Sequence, residues 1–465
     1  MEQKRAENPL GYKKISELFT SFALPSVIAM LVSSLYNVVD QIFIGRGVGY
    51  LANGATNVAF PLTTICMAIT LMIGIGTASR FSLYLGRKEE EKAAAAVGNG
   101  ICMMIVFGLC YVIIVQTFLK PMLWAFGATD NNFDYALSYT RITVFGMPLL
   151  IVMNGLSNLA RADGSPLYSM TSMMIGAVIN TILDPIFIFV FHWGIAGAAW
   201  ATVIGQLFSC INAVMYLRRL KRIKLERRHI KLSFKEIKKT AVMGMSNGLT
   251  QVALTLVQIV MNLSLVHYGK LSEYGADIPL SGSGIVMKVN SIILAVVIGF
   301  NQAMQPIVGF NYGAKKYDRV RSTYKLVIAS ELVITILGLL VFQIFPRQVL
   351  SLFGKGDGGT DIELYYKFSV SFMRTYLLFL PLSGIQMISS NFFAAIGKPV
   401  KGAFLSLTRQ VFFLIPLLLI MPFFMGIKGI LYSAPAADLL AFITVMIFIM
   451  REMKNMSALD STSDI

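Results

Sequence analysis

Long apolar runs separated by short polar breaks fill this chain from end to end. A helix that crosses a bilayer needs about 20 mostly apolar residues. Twelve stretches reach that length, at about 16–44, 53–80, 93–119, 135–160, 167–191, 194–217, 239–267, 281–309, 322–345, 364–394, 400–424 and 426–450. Runs such as Val411–Phe424 are continuous and do not alternate, so helices are expected in place of the strands of a β-barrel. The first run follows a short basic segment (Lys4, Arg5, Lys13, Lys14), and no small-residue cleavage site follows a short apolar region. That pattern predicts an uncleaved anchor.

Composition removes the soluble alternative. A length of 465 residues would otherwise suggest two or three domains. Hydrophobic residues make up 56% and charged residues 14%, against about 25% charge in soluble domains. Mean hydropathy is +0.68. The net charge of +16 sits between the apolar runs, which suits anionic membrane surfaces and not a nucleic-acid groove. Cys66, Cys102, Cys110 and Cys210 fall in apolar segments and show neither metal spacing nor a disulfide framework. Charge also orients the chain. With the N-terminus inside, 29 Lys and Arg fall on inner segments and 6 on outer loops, so both ends are expected in the cytoplasm.

The chain repeats itself. "FSLYLGRKEEEKAAAAV" resembles "IVGFNYGAKKYDRVRSTY", "NLARADGSPLYS" resembles "NFFAAIGKPVKG", and "WGIAG" resembles "MGIKG". Gly86 and Gly313 are 227 apart, Pro166 and Pro399 are 233 apart, and Gly194 and Gly426 are 232 apart. Near-constant offsets predict one duplicated six-helix unit. Six crossings return the chain to its starting side, so the halves are parallel repeats about an axis along the membrane normal. The expected organisation is an N-tail (1–15), an N-lobe (16–217), a basic linker on the inner leaflet (218–238), a C-lobe (239–450) and a C-tail (451–465). Two such lobes around a central cavity can rock between inward- and outward-open forms, which predicts a transporter.

Polar side chains in lipid are costly and should face the bundle interior or water. Ser33, Tyr36, Asn37 and Asp40 share one helix face, as do Asn154, Ser157, Asn158 and Arg161. Thr202, Gln206 and Ser209 follow in the sixth run; Gln251, Thr255, Gln258 and Asn262 form a neutral stripe in the seventh. Together these stripes predict a wet cavity lined by Tyr36, Asn37, Asn154, Gln206, Gln251, Thr255 and Gln258. Asp40 and Asp184 are the sharper signal. Asn180 lies one turn before Asp184, and Pro185 interrupts the helix hydrogen bonds, freeing backbone oxygen nearby. Such oxygens suit a small hard cation, and an apolar surround favours a bound proton. Glu331 and Asp438 read as structural; Lys288, Arg374 and Arg409 read as partners for carboxylates or as attractors of anions.

Enzyme motifs are missing. There is no G-x-x-x-x-G-K-[ST] loop, no G-x-S-x-G elbow and no H-E-x-x-H pair, and His192, His229 and His267 lie at loops and segment ends. No cofactor is expected beyond a coupling ion. A channel lacks its filter-like loop here, and two lobes favour alternating access. Apart from a transporter, a scaffold or membrane enzyme would show no ion-dependent flux.

Several segments together resemble the multidrug and toxic compound extrusion (MATE) family, in its bacterial MepA-like branch. They are "FALPSVIAMLVSSLYNVVDQIFIGRGVG", "GTASRFSLYLGRKEEEKA", "RADGSPLYSMTSMMIGAVINTILDPIFIF", "GIAGAAWATVIGQ", "QPIVGFNYGAKKYDR" and "AIGKPVKGAFLSLTRQVFFLIPL". The resemblance implies an all-α, twelve-helix, two-lobed antiporter in the bacterial inner membrane. It would export cationic or amphipathic organic compounds in exchange for protons or sodium ions. The family's N-lobe ion site, carried over residue by residue, falls on Asp40, Asn180, Asp184 and Thr202, which would also hold sodium. Pro25 matches the position where the first helix bends. The seventh run holds no internal acid and the tenth holds Arg374, which argues against the C-lobe coupling used in some branches. A flippase for lipid-linked saccharides, from the same broad superfamily, is the alternative. One chain supplies both lobes, so a functional monomer is expected.

Overall fold

A computed structural model describes residues 8–48, 50–126, 128, 130–275, 277–351 and 361–463. Lys4, Arg5 and Lys355, counted above, lie outside the described residues. Among those described, there are helices and no strands. The spans are α1 (Ile15–Gly47), α2 (Tyr50–Gly86), α3 (Glu90–Thr117), α4 (Phe133–Ala162), α5 (Pro166–Pro185), α6 (Gly194–Tyr216), α7 (Phe234–Lys270), α8 (Asp277–Gly313) and α9 (Tyr317–Ile344). The tenth span is the pair Asp361–Tyr376 and Leu380–Ala395, together α10, and it is bent by 48°. The eleventh, α11, runs from Pro399 through a π segment at Thr408–Leu414 to Met425, and α12 is Ile427–Ser463. Among the described residues, eleven single helices are long and apolar enough to cross a membrane, and the bent pair, taken as one span, makes the twelfth. Pro381 opens the second part of α10, and its missing N–H and ring explain the break.

The duplication reappears in backbone detail. Lys88 and Lys315 both adopt positive φ (61° and 58°), as do Gly164 and Gly397 (86° and 80°) and Gly194 and Gly426 (58° and 57°). These pairs keep the 227, 233 and 232 offsets of the sequence repeats. Lys88 and Lys315 close the same double bond at a helix end: Glu89 N donates to Tyr84 O and Lys88 N to Leu85 O, matched by Lys316 to Asn311 and Lys315 to Tyr312. This is a left-handed helix stop that normally favours Gly.

Three apolar cores organise the bundle. One unites both halves: Leu18, Phe81 and Leu156 of the first repeat meet Met304, Val327 and Ile388 of the second. The other two remain separate. One draws its buried members from residues 44–198 and the other from 257–437. The shared core lies toward the basic loops, and the separate cores lie toward the opposite face. The two halves therefore share a core at the basic end, and each keeps its own core at the other. Between helices in lipid, small residues permit close packing. A Cβ at Gly76 would overlap the Thr240 carbonyl oxygen, and one at Gly244 would overlap that of Met72. This α2–α7 seam is thus built on glycine.

Polar bonds reinforce the joined end. Arg80, counted above as an inner-surface cation, is 3% exposed. It donates to the Glu236 carboxylate and carbonyl and, at 2.7 Å, to Thr240 Oγ1. Arg161, on the polar face of α4 with Asn158, is buried and donates to Ser169 Oγ (2.8 Å) and Asn158 Oδ1 (2.6 Å). The N-terminal segment docks across the lobes. Leu10 O accepts from Asn311 Nδ2 (2.9 Å) and Gly11 O from Lys316 Nζ (2.9 Å), while Arg319 donates to Lys13 O (2.6 Å).

Two segments differ from their expected form. The linker ends earlier than residue 238, because α7 begins at Phe234. It is also tied to the N-lobe. Asp163 accepts from Tyr216 (2.7 Å) and from Lys221 N (2.8 Å), and Asn99 donates to Lys231 O (3.0 Å). Burial pushes the Asp163 carboxyl above its usual range, opposed by those two bonds. The C-tail is not a loose end either, since α12 continues through Ser463. Val445, Ile449, Glu452 and Met456 form one buried stripe there, with Glu452 paired to Lys398 and, at 3.6 Å, to Lys401.

Candidate ion site and cleft

Asp40, Asn180, Asp184 and Thr202 come from three helices, and the fold brings them together in the N-lobe half away from the basic face. Glycines set the spacing. A Cβ on Gly205 of α6 would stand 2.7 Å from the Gly176 carbonyl oxygen of α5 and 3.3 Å from the Asn180 Cβ. That approach seats Asn180 against Thr202. Asn180 Nδ2 donates to Asp184 Oδ1 (3.3 Å) and to Thr202 Oγ1 (3.2 Å). Immediately after Pro185 the helix loosens into a π turn at Ile186–Val190, which re-aims the end of the span.

Asp40 reaches this group from α1. It is 7% exposed and Asp184 is 0% exposed, and their carboxyls are hydrogen-bond neighbours. The Tyr36 hydroxyl lies close to Thr202. Three buried oxygens stay unpartnered: Asp40 Oδ1, Asp184 Oδ2 and Asn180 Oδ1. Two adjacent buried carboxyls cannot both stay ionised without a compensating cation or proton. The donors on hand are one amide and two hydroxyls. The arrangement can therefore hold one or two protons, or one small cation in an all-oxygen shell. Tyr139 of α4 also lies within electrostatic reach of both carboxyls. It was not singled out from sequence, where its only signal is a hydroxyl inside an apolar run.

Pro25 lies within α1, which is one unbroken helix from Ile15 to Gly47. The polar stripes fall on two surfaces. On α7, Gly244 and Gly248 meet Met72 and Ala68 of α2. Gln251, Thr255, Gln258 and Asn262 continue that face beyond the shared core. Within the stripe, Gln258 Nε2 donates to Asn262 Oδ1 (2.9 Å). On α1, Val27 meets Gly299 and Met30 meets Gln302; Asn37 continues their face beyond that core. Asn154 donates back to Leu150 O (3.1 Å). Gln206 differs: its Oε1 presses on Gly146, which holds the amide between α6 and α4 inside the lobe.

Charges of the C-lobe divide clearly. Arg409, half-buried, donates to the buried Asp438 Oδ1 at 2.5 Å. Arg374 is exposed and donates to the Gln343 carbonyl (3.1 Å), and Lys288 is exposed. Glu331 lies in α9. It is 0% exposed, and neither carboxyl oxygen has a hydrogen-bond partner.

Comparison with known proteins fits this frame. The MatE family model matches residues 25–186 and 247–420, one block in each half. The chain belongs to the MATE family. The MATE relatives include the multidrug export protein MepA of Staphylococcus haemolyticus, 26% identical over 98% of each chain. MepA of Staphylococcus aureus is 25% identical over 95% of this chain and 96% of its own. Among solved structures, one described as the outward-facing conformation of a multidrug resistance MATE family transporter superposes with a TM-score of 0.89. It covers 98% of this chain and 99% of its own at 20% identity, a likeness of fold. A transporter from Pyrococcus furiosus, described as having a binding pocket of reverse polarity, gives 0.90 at 20% identity over 98% of this chain and all of its own. MATE members are multi-pass membrane transporters, and the twelve spans here agree with that.

Proposed function

We propose that this chain is a secondary active exporter of cationic or amphipathic organic compounds, driven by exchange for protons or sodium ions. The observation that carries the reading is the set of unpartnered buried oxygens on Asp40, Asp184 and Asn180. The MepA relatives support the substrate class. The basic face is taken as cytoplasmic. The shared core at the cytoplasmic end and the separate cores at the opposite end then make this an outward-facing form.

Alternating access follows from chemistry at the site. With the outer cleft wet, a proton or sodium ion reaches the two carboxyls. Neutralising them removes the cost of closing the lobes over desolvated charge. Release on the cytoplasmic side restores the charge, and substrate taken up in the cleft keeps the lobes apart until it leaves outward. The neutral lining of Gln251, Thr255 and Gln258 accepts varied amphipathic molecules without fixed ionic demands. One chain supplies both lobes, so the monomer is the working unit.

Proteoliposomes provide the test. Efflux of a fluorescent cationic drug should follow an imposed pH or sodium gradient, and Asp184→Asn or Asp40→Asn should abolish the gradient response without loss of expression. Flux indifferent to both gradients rejects antiport. A fully coupled Asp184→Asn variant moves the ion site elsewhere.

A further inference from the structure

At the basic face, between the lobes, lies a cavity of about 420 Å³. The end of α2 and the start of α7 form its walls, with Gly397 from the loop between α10 and α11 and Pro399 from the first turn of α11. Five cations line it: Arg80, Arg87, Lys235, Lys238 and Lys239. Arg80 and Lys239 share the carboxylate of Glu236. Arg87, Lys235 and Lys238 form no ion pair among the described residues. One carboxylate thus answers five positive charges in a single recess, and their mutual repulsion is relieved by an anion.

The same recess is also apolar. Val242 and Met243 continue its wall along α7, and Pro399 faces them. Beside it, Phe234 is 82% exposed and Val400 65% exposed. Exposed side chains of that size next to a ring of lysines mark the depth at which headgroups meet acyl chains. A free phosphate would neutralise the cations and leave this apolar wall bare, whereas a lipid covers both.

We propose that this cavity binds the phosphodiester headgroup of an anionic phospholipid, which bridges the lobes at the basic face and stabilises their joined arrangement. The ligand sits across the α2–α7 seam beside the Arg80–Glu236 contact, so it favours the form open on the opposite side. The inference requires no particular drug or coupling ion.

The test uses the full chain in nanodiscs of phosphatidylcholine, with and without phosphatidylglycerol. Phosphatidylglycerol should raise the melting temperature and shorten the distance between spin labels placed at the basic ends of α3 and α10. Lys235→Gln with Lys238→Gln, both at exposed positions, should weaken headgroup binding roughly 30-fold, or about 2 kcal/mol for two charges. Lys315→Gln with Lys325→Gln, on the same face away from the cavity, should keep the full response. No response to phosphatidylglycerol overturns the proposal, as does an equal loss in the control pair. Reproduction of the effect by inorganic phosphate in phosphatidylcholine discs overturns the lipid and leaves a soluble anion as the ligand.

Discussion

Asn180 is oriented by what it donates. Both of its amide bonds run to Asp184 and Thr202, which leaves its carbonyl oxygen buried without a partner. Thr202→Val removes one of those anchors and the hydroxyl close to Tyr36. It should weaken apparent coupling-ion affinity about tenfold, the worth of one good hydrogen bond, while drug binding without a gradient holds. Flux measured against ion concentration reads this directly. Gly384 meets Glu331 so closely that an added methyl would overlap Oε1. Gly384→Ala should therefore destabilise the C-lobe by about 1–3 kcal/mol, seen as a lower melting temperature in detergent. Asp163 makes a pH prediction. Its carboxyl is raised in the folded protein, so the folded state binds the proton more tightly than the unfolded one. Stability from this group is present at acid pH and falls as pH rises through the raised value. Asp163→Asn, which keeps an acceptor for Tyr216, should flatten that slope in melting curves taken across the acid range. At this scale the sequence foresaw which four side chains would be grouped. Asp40, Asn180, Asp184 and Thr202 do meet, since helical spacing and the family resemblance both constrain them. It was a poor guide to Arg80, because a cation near a span end looks alike whether it snorkels or is buried. The Glu236 partner of Arg80 lies 156 residues away.

Among the elements, the helix stops carry the clearest mark of duplication. Lys88 and Lys315 occupy a backbone region that costs a side chain about 1–2 kcal/mol. Lys315→Gly should recover part of that, and thermal unfolding of the variant should move upward. The loop repeats were legible as letters, and the matching dihedral angles show that they encode the same turn. Element ends were less legible. The basic run at 218–238 gave no sign that its last residues would join α7, because Lys and Glu serve a solvated helix start and a loop equally well. Likewise, the C-terminal continuation of α12 depends on Glu452 finding Lys398, a pairing that no local pattern displays.

For the molecule as a whole, the glycine seam decides how the lobes meet. Gly244→Leu introduces bulk where the Met72 carbonyl stands. It should shift the population away from the joined basic end by about tenfold or more, since overpacking costs about 1–3 kcal/mol. Spin-label distances across the α2–α7 seam should lengthen accordingly. Two lobes and their repeat were readable from charge and offsets, yet which end is closed was not, because that depends on tertiary contacts between residues far apart in the chain. The docked N-terminal segment has a further consequence, for biosynthesis. Leu10 hydrogen-bonds Asn311, 301 positions later. The earliest described stretch of the polypeptide must wait, with its carbonyls still hydrated, until the eighth span has left the ribosome. Assembly at this end is therefore completed by an earlier-made segment folding back onto one made much later.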